Sequence, residues 1–346
     1  MWRVGLFDLL HRRRRFVLAV IATSLAFGLS LLMAGTVAHM QNETDRIVAL
    51  FKADQFVVAD GGTGPFTTTR LLPAAMEQTL RRNPGVTKAD AFVNARENLK
   101  GKDVNILGVE PGGLGSPTIH RGAMVDRPGE AVTDTTLGYD VGDHFTLGKK
   151  QLVVTGTATN TTFYFGQPTV FLTVKDVQDN FLEGQPYATA IAVTGDVRKP
   201  PAGTQVMTNA EVKQDLNRPQ KSGTQTVAIF NTLLWLMAAG IVATMVYLTA
   251  LERARDIAVL KAMGTANSTL FGGMAVQGLA LALAACVVGA FVSLALTPIM
   301  PFQVETPASA YGQVLLIGIV VGLVAALVGL RRAVHTDPAL AFGRNT

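Results

Sequence analysis

The chain has 346 residues, of which 49% are hydrophobic and only 16% charged, and its mean hydropathy is +0.31. A soluble protein carries roughly 25% charged residues, so part of this chain belongs in lipid; one cysteine, Cys286, excludes an internal disulfide framework or a thiolate metal cluster. The net charge of +5 sits beside long apolar runs, with 11 Lys+Arg against 4 Asp+Glu in residues 1–15, 251–270 and 331–346, and 19 against 20 in residues 39–226, a distribution that orients a membrane protein and excludes nucleic acid as the partner.

In chain order, Trp2, Leu6, Leu9 and Leu10 form one apolar stripe ahead of the run His11 to Arg15. This predicts a cytoplasmic amphipathic helix over 1–15, lying on the inner leaflet among membrane lipids. Residues 16–38 carry no charge and are long enough for a first transmembrane helix. Thr36-Val37-Ala38 loosely resembles a signal cleavage site, but the apolar run exceeds the roughly 7–15 residues of a signal peptide, so an uncleaved anchor is expected.

Residues 39–226 are too long and too mixed for a loop and read as an α+β domain. Runs rich in Val, Ile and Phe predict strands at 55–59, 91–94, 104–109, 151–156 and 169–174. Leu71 to Arg82 reads as a helix ended by Asn83-Pro84-Gly85, and Thr208 as the N-cap of a second, through Leu216, with Glu211 as its reciprocal capping partner. Residues 217–226 are polar and predict a linker. The remaining spans are 227–250, 271–297 and 311–330. Residues 298–310 contain no Lys or Arg, whereas 251–270 and 331–346 do. Both termini and residues 251–270 are therefore expected in the cytoplasm, with 39–226 and 298–310 outside. The expected fold is a membrane protein with four transmembrane α-helices and an α+β extracytoplasmic domain inserted between helices 1 and 2.

Catalytic patterns are sparse. Gly142 and Gly148-Lys149-Lys150 lack the spacing of a phosphate-binding loop and predict a hairpin, so any ATP is hydrolysed by another polypeptide. His11, His39, His120, His144 and His335 form no zinc-ligand spacing, and Asp140, Asp143 and His144 read as a solvated turn. Asn42-Glu43-Thr44 and Asn160-Thr161-Thr162 match glycosylation acceptors, a pattern too common to carry weight. The chain is expected to be a non-catalytic subunit that binds no metal or cofactor. Within the membrane, Gly318, Gly322 and Ala325 form a small-residue face, matched by Gly272, Gly278, Ala282, Ala285 and Gly289. Such faces let helix backbones approach, equally within one chain or across a dimer. No span holds an ionisable residue, so an ion-coupled path at mid-membrane has no support, and Asn231 alone is a weak sign of one.

The most informative segment is Leu251-Glu252-Arg253-Ala254-Arg255-Asp256-Ile257-Ala258-Val259-Leu260-Lys261-Ala262-Met263-Gly264. It begins where the second span leaves the membrane and ends on a glycine suited to a helix C-terminus. Ile257, Leu260 and Gly264 share a face, with Arg253, Asp256 and Lys261 around it. By composition it is equally a helix docking into another protein or one lying on the membrane.

This segment resembles the E-R-x-R-E-I-G-x-L-K-A-M-G motif of MacB/FtsX-type (type VII, DevC-like) ABC transporter permeases, with Asp256 for the usual Glu and Ala258 for the usual Gly. Arg331-Arg332-Ala333-Val334-His335-Thr336-Asp337-Pro338-Ala339-Leu340-Ala341 is similar to the family's closing D-P-A-E-A-L pattern, with Leu340 replacing the Glu. The basic entry from Leu9 to Phe16 also fits, and the stretches 104–111, 141–147 and 152–156 echo the extracytoplasmic core. The resemblance implies a bacterial plasma-membrane permease that pairs with a second copy, as a homo- or heterodimer, above cytoplasmic ABC ATP-binding subunits. ATP and Mg would sit on the ATPase, with none bound by this chain. The resemblance further implies a coupling helix in which Glu252, Arg253, Arg255 and Lys261 orient, Asp256 adds charge, Ile257, Leu260 and Met263 supply buried contact, and Gly264 stops the helix. ATP-driven movement would pass along the second span to residues 39–226 (mechanotransmission), for export or extraction of a lipid, peptide or drug-like substrate, with room for an extracytoplasmic adaptor or substrate protein. The alternative within the family is an FtsX-like regulator that activates a cell-wall hydrolase without transport.

Overall fold

The computed structural model describes residues 13–164, 166–219, 221–252, 259, 263–300 and 304–334. The amphipathic helix expected over 1–15 and the closing tail fall largely outside the described residues. The chain forms two compact units, Met1–His39 with Thr224–Thr346, and Met40–Gly223.

Helix α1, Arg13–Leu50, does not stop at Ala38. From Met40 onward its residues belong to the second unit, where Ile47, Val48 and the following Phe51 are buried with Phe56, Phe66, Phe92 and Phe163. The Phe51 ring lies 4.4 Å from that of Phe92 and meets Phe56 edge-on at 5.5 Å, the offset and T-shaped geometries that aromatic quadrupoles favour. Buried Glu43, on the same helix, accepts from the Thr162 hydroxyl at 2.6 Å and the Gly166 N–H at 3.0 Å.

Strand β1 (Gln55–Ala59) is followed by β2 (Leu72–Pro73), helix α2 (Met76–Arg81), β3 (Val86–Leu99), β4 (Lys102–Val109), β5 (Ile119–Gly122) and β6 (Glu130–Asp134). Then come β7 (His144–Leu147), β8 (Lys150–Ala158), β9 (Thr169–Thr173), helix α3 (Val174–Phe181), β10 (Tyr187–Ala188), β11 (Ala190–Gly195), β12 (Thr204–Thr208) and helix α4 (Asn209–Asn217). Among the described residues ten strands make one mixed sheet in the order β12-β1-β11-β3-β4-β9-β6-β8-β5, with β7 on β8, and β2 pairs with β10 separately.

The expected helix over 71–82 is confined to Met76–Arg81, because Pro73 pushes Leu72 out of helical conformation and into pairing with Ala188. The expected strand at 91–94 extends over the whole of β3, since backbone pairing to β11 and β4 continues past its apolar centre. The hairpin at 142–150 is present, with Leu147 opposite Lys150 and Gly148 turning at φ 57°.

Charged groups buried in this unit are matched. Asp90 accepts from the Leu114 N–H at 2.7 Å and pairs with Arg81 at 3.0 Å and Lys88 at 3.3 Å. Asp176, 1% exposed, takes bonds from the Thr173 hydroxyl, the Gly129 N–H and Lys150 Nζ. Burial alone would lower the Lys150 ammonium, but its bonds to Asp179 and Asp176 outweigh that and hold it above its ordinary value. At α4 the capping box is complete. The Thr208 N–H donates to Glu211 at 2.7 Å, and the Glu211 N–H returns to the Thr208 hydroxyl. The Thr208 N–H and then its hydroxyl, both donating to that carboxylate, hold the Glu211 carboxyl below its ordinary value.

The membrane unit contains, with α1, helices α5 (Lys221–Glu252), α6 (Asn267–Leu296) and α7 (Ala308–Val334), all long and apolar enough to cross a membrane. The polar stretch expected to link domain and membrane is in part the first turns of α5. Ala238, Val242, Val246 and Ala250, spaced four apart, are the buried stripe of α5, as i, i+4 periodicity requires. Ile229, Phe230, Leu233, Leu236 and Met237 lie on its exposed surface, which hydrocarbon accepts without cost. The Trp235 indole N–H donates to Ser30 Oγ at 2.9 Å, joining α5 to α1. Helices α6 and α7 meet at Gly278 and Gly322, where a Cβ on Gly278 would lie 2.5 Å from the Gly322 carbonyl oxygen. Gly28 and Gly289 bring α1 and α6 together in the same way, with a Cβ on Gly28 reaching 3.0 Å from the Gly289 oxygen.

Gly278→Val places a side chain against backbone that cannot step aside. It should destabilise the membrane unit by about 1–3 kcal/mol, seen as a lower melting temperature of the full-length protein in mild detergent. Thr208→Ala should cost about 1 kcal/mol at the start of α4, read as several-fold faster amide exchange at 209–212 in the full-length chain. Because Glu211 is lowered in the folded state, its stabilisation is present above the usual carboxylate range and lost as pH falls through the lowered value. Glu211→Gln should abolish that acid-side loss in the same exchange measurement, after correction for intrinsic rates.

Candidate functional site

The connector between α5 and α6 is where the charge returns after an uncharged span. Glu252 is the last residue of α5, and its carboxylate accepts from Arg15 Nη1, in the first turn of α1, at 2.5 Å. Both side chains keep contact with solvent, at 59% and 31% exposure. An ion pair of this kind adds only about 0–1 kcal/mol to stability, so its effect is to fix geometry.

Beyond Glu252, residue Val259 is helical, and the Met263 N–H donates to its carbonyl at 3.0 Å. Val259 and Met263 are 42% and 69% exposed. Four residues apart and joined by that bond, both are exposed apolar side chains. Gly264 follows at φ 87°, a left-handed conformation that ends a helix cheaply only with glycine. Helix α6 then begins at Asn267. Arg253, Arg255, Asp256, Ile257, Leu260 and Lys261 lie outside the described residues.

Gly318, Gly322 and Ala325 face α6 of the same chain. Gly322 meets Gly278, a Cβ on Gly318 would come within 2.6 Å of Cys286 Sγ, and Ala325 is buried. Sequence reasoning missed two contacts at the helix ends. One is Arg15 with Glu252. The other is buried His39, whose Nδ1 lies 3.2 Å from Glu305 Oε1. Beside it Gly35 admits the segment after residue 303, since a Cβ there would lie 2.6 Å from Val304 and Thr306. Glu305 is the one charge in the sequence between the last two spans, but its partner is set by tertiary packing alone.

In the domain, the buried acids serve structure. Asp134 accepts from the Thr136 and Thr161 hydroxyls, both at 2.6 Å, and Asp215 accepts from Thr67. The Asp140 N–H bonds Asp143 in an exposed turn, and His144 follows at the start of β7. Among the described residues no three His, Cys, Asp or Glu converge as a metal site. The chemistry on offer at the connector is association: a charged anchor, exposed apolar side chains and a sharp stop.

Residues 228–338 match the family model described as FtsX-like permease C-terminal. Over 340 residues the chain is 36% identical to the uncharacterized ABC transporter permeases Rv2563 and Rv0072 of Mycobacterium tuberculosis and Mb2592 of Mycobacterium bovis, covering 97% of this chain and 97% of each relative. The extracellular domain of the noncanonic ABC-type transporter YknZ from Gram-positive bacteria aligns at 11% identity and a TM-score of 0.34, over 45% of this chain and 99% of that one. Apolar helices, a domain inserted between the first and second of them, and identity over nearly the whole length agree: the chain belongs to the FtsX-like permeases of ABC transporters, membrane proteins that work with an ATP-binding subunit.

Proposed function

We propose that this permease is a mechanotransmission subunit, in which the connector between α5 and α6 seats on the ATP-binding subunit and its displacement is carried to residues 39–226. The observation that carries this reading is the connector itself: helical Val259 and the turn residue Met263 are both exposed, and Gly264 follows in a left-handed conformation. A connector that needed only to be solvated would not expose apolar side chains four residues apart. Spans without ionisable residues favour work done on the domain over passage through a polar channel. In this reading ATP and Mg reside on the partner, a second permease copy completes the complex, and both termini and the connector lie in the bacterial cytoplasm. The substrate is a lipid, peptide or drug-like molecule handled on the outer side, with or without an adaptor protein there. Regulation of a cell-wall hydrolase uses the same connector and differs only in what the domain touches; a hydrolase bound to residues 39–226 would select it.

Leu260→Asp should abolish most of the stimulation that the permease gives its ATPase, while membrane insertion stays normal, because a carboxylate would have to be buried in the docking cleft. Full stimulation in that variant contradicts the docking assignment. A cysteine at Met263, in a chain whose Cys286 is replaced by Ala, should react with an impermeant maleimide only after the cells are opened.

A further inference from the structure

The first turn of α1 and the end of α5 are joined by a contact that orientation chemistry does not require. A basic run beside a span orients the chain through its charge alone and needs no fixed partner. Arg15 nevertheless reaches Glu252 across 237 positions of sequence, and Glu252 is the residue on which the connector begins. Arg15 also lies in the first turn of α1, where no acidic side chain is present. At its other end α1 is built into the second unit, with Ile47 and Val48 in the aromatic core and Glu43 bonded to Thr162 and Gly166. One continuous helix thus runs from the contact at Glu252 to residues buried in the domain.

We infer that Arg15 is a positioning residue, whose ion pair with Glu252 ties α1 to the entry of the connector, so that α1 takes up connector movement together with α5. This rests on the docking reading above and adds a second line of transmission to it. A solvent-accessible ion pair suits the role. It contributes little to folding, so it can strain and re-form within a cycle, and a guanidinium holds a carboxylate in a directional geometry that a lysine ammonium does not.

The test uses the full-length permease with its ATP-binding subunit in lipid nanodiscs, reading stimulated ATPase rate and nucleotide KM. Arg15→Glu and Glu252→Arg should each reduce stimulation severalfold with KM unchanged, the double exchange should recover most of it, and Arg15→Lys should fall between. Wild-type stimulation in Arg15→Glu, with Leu260→Asp uncoupled, would overturn this inference and leave the docking reading standing. A double exchange no better than the single changes would likewise overturn it. Full stimulation in Leu260→Asp as well would overturn both.

Discussion

Hydrocarbon offers helices no hydrophobic reason to associate, since lipid tails are as apolar as the side chains they would replace. What holds the membrane unit is contact close enough for dispersion between backbones, and this depends on particular absences of side chain. Gly278 against Gly322 and Gly28 against Gly289 are such places. The buried stripe of α5, Ala238 to Ala250, fits the same surface from another side. Each peptide group is satisfied within its own helix, so the spans tolerate an apolar exterior and need no polar partner there. The charged residues are left to the helix ends, where Arg15 meets Glu252 and His39 meets Glu305.

The second unit obeys the opposite economy. Its stability comes from burial in water, around six phenylalanines and a mixed sheet, and its acids are buried only where donors meet them. Asp90, Asp134 and Asp176 each tie a loop or helix to a strand, so their chemistry is spent on shape. A domain with its own core can change its surroundings without changing its fold, which is what the proposed work asks of it.

Much of this was legible before any coordinates. The spans declare themselves through long uncharged runs, and the capping pair Thr208 and Glu211 marks the start of α4 because the hydrogen bonds are local. Strand β1 was legible for the same reason, a short run of Phe and Val between turn residues. Legibility fails where pairing overrides composition. Lys88, Asp90, Arg96 and Glu97 lie within β3 because the ladders to β11 and β4 pass through them. Pro73 outweighs the helical look of its neighbours. The apolar run of the first span stops at Ala38 but the helix continues to Leu50, because a helix leaving an apolar run is under no obligation to end when another core can receive its apolar face. At the connector, Glu252, Met263 and Gly264 stood out by pattern, whereas Arg15 was hidden in a basic run whose members are interchangeable for orientation and distinct only in space.

That distinction bears on how force would pass from the connector in the proposed mechanism. If the connector were attached to the membrane unit only through the polypeptide at Glu252, a push on it would load α5 alone, and α1 would follow only through side-chain packing. A second attachment at Arg15 divides the load between two helices that both continue to residues bounding the domain, α1 ending at Leu50 and α5 beginning at Lys221. Two points of drive can turn as well as lift, whereas one can only displace.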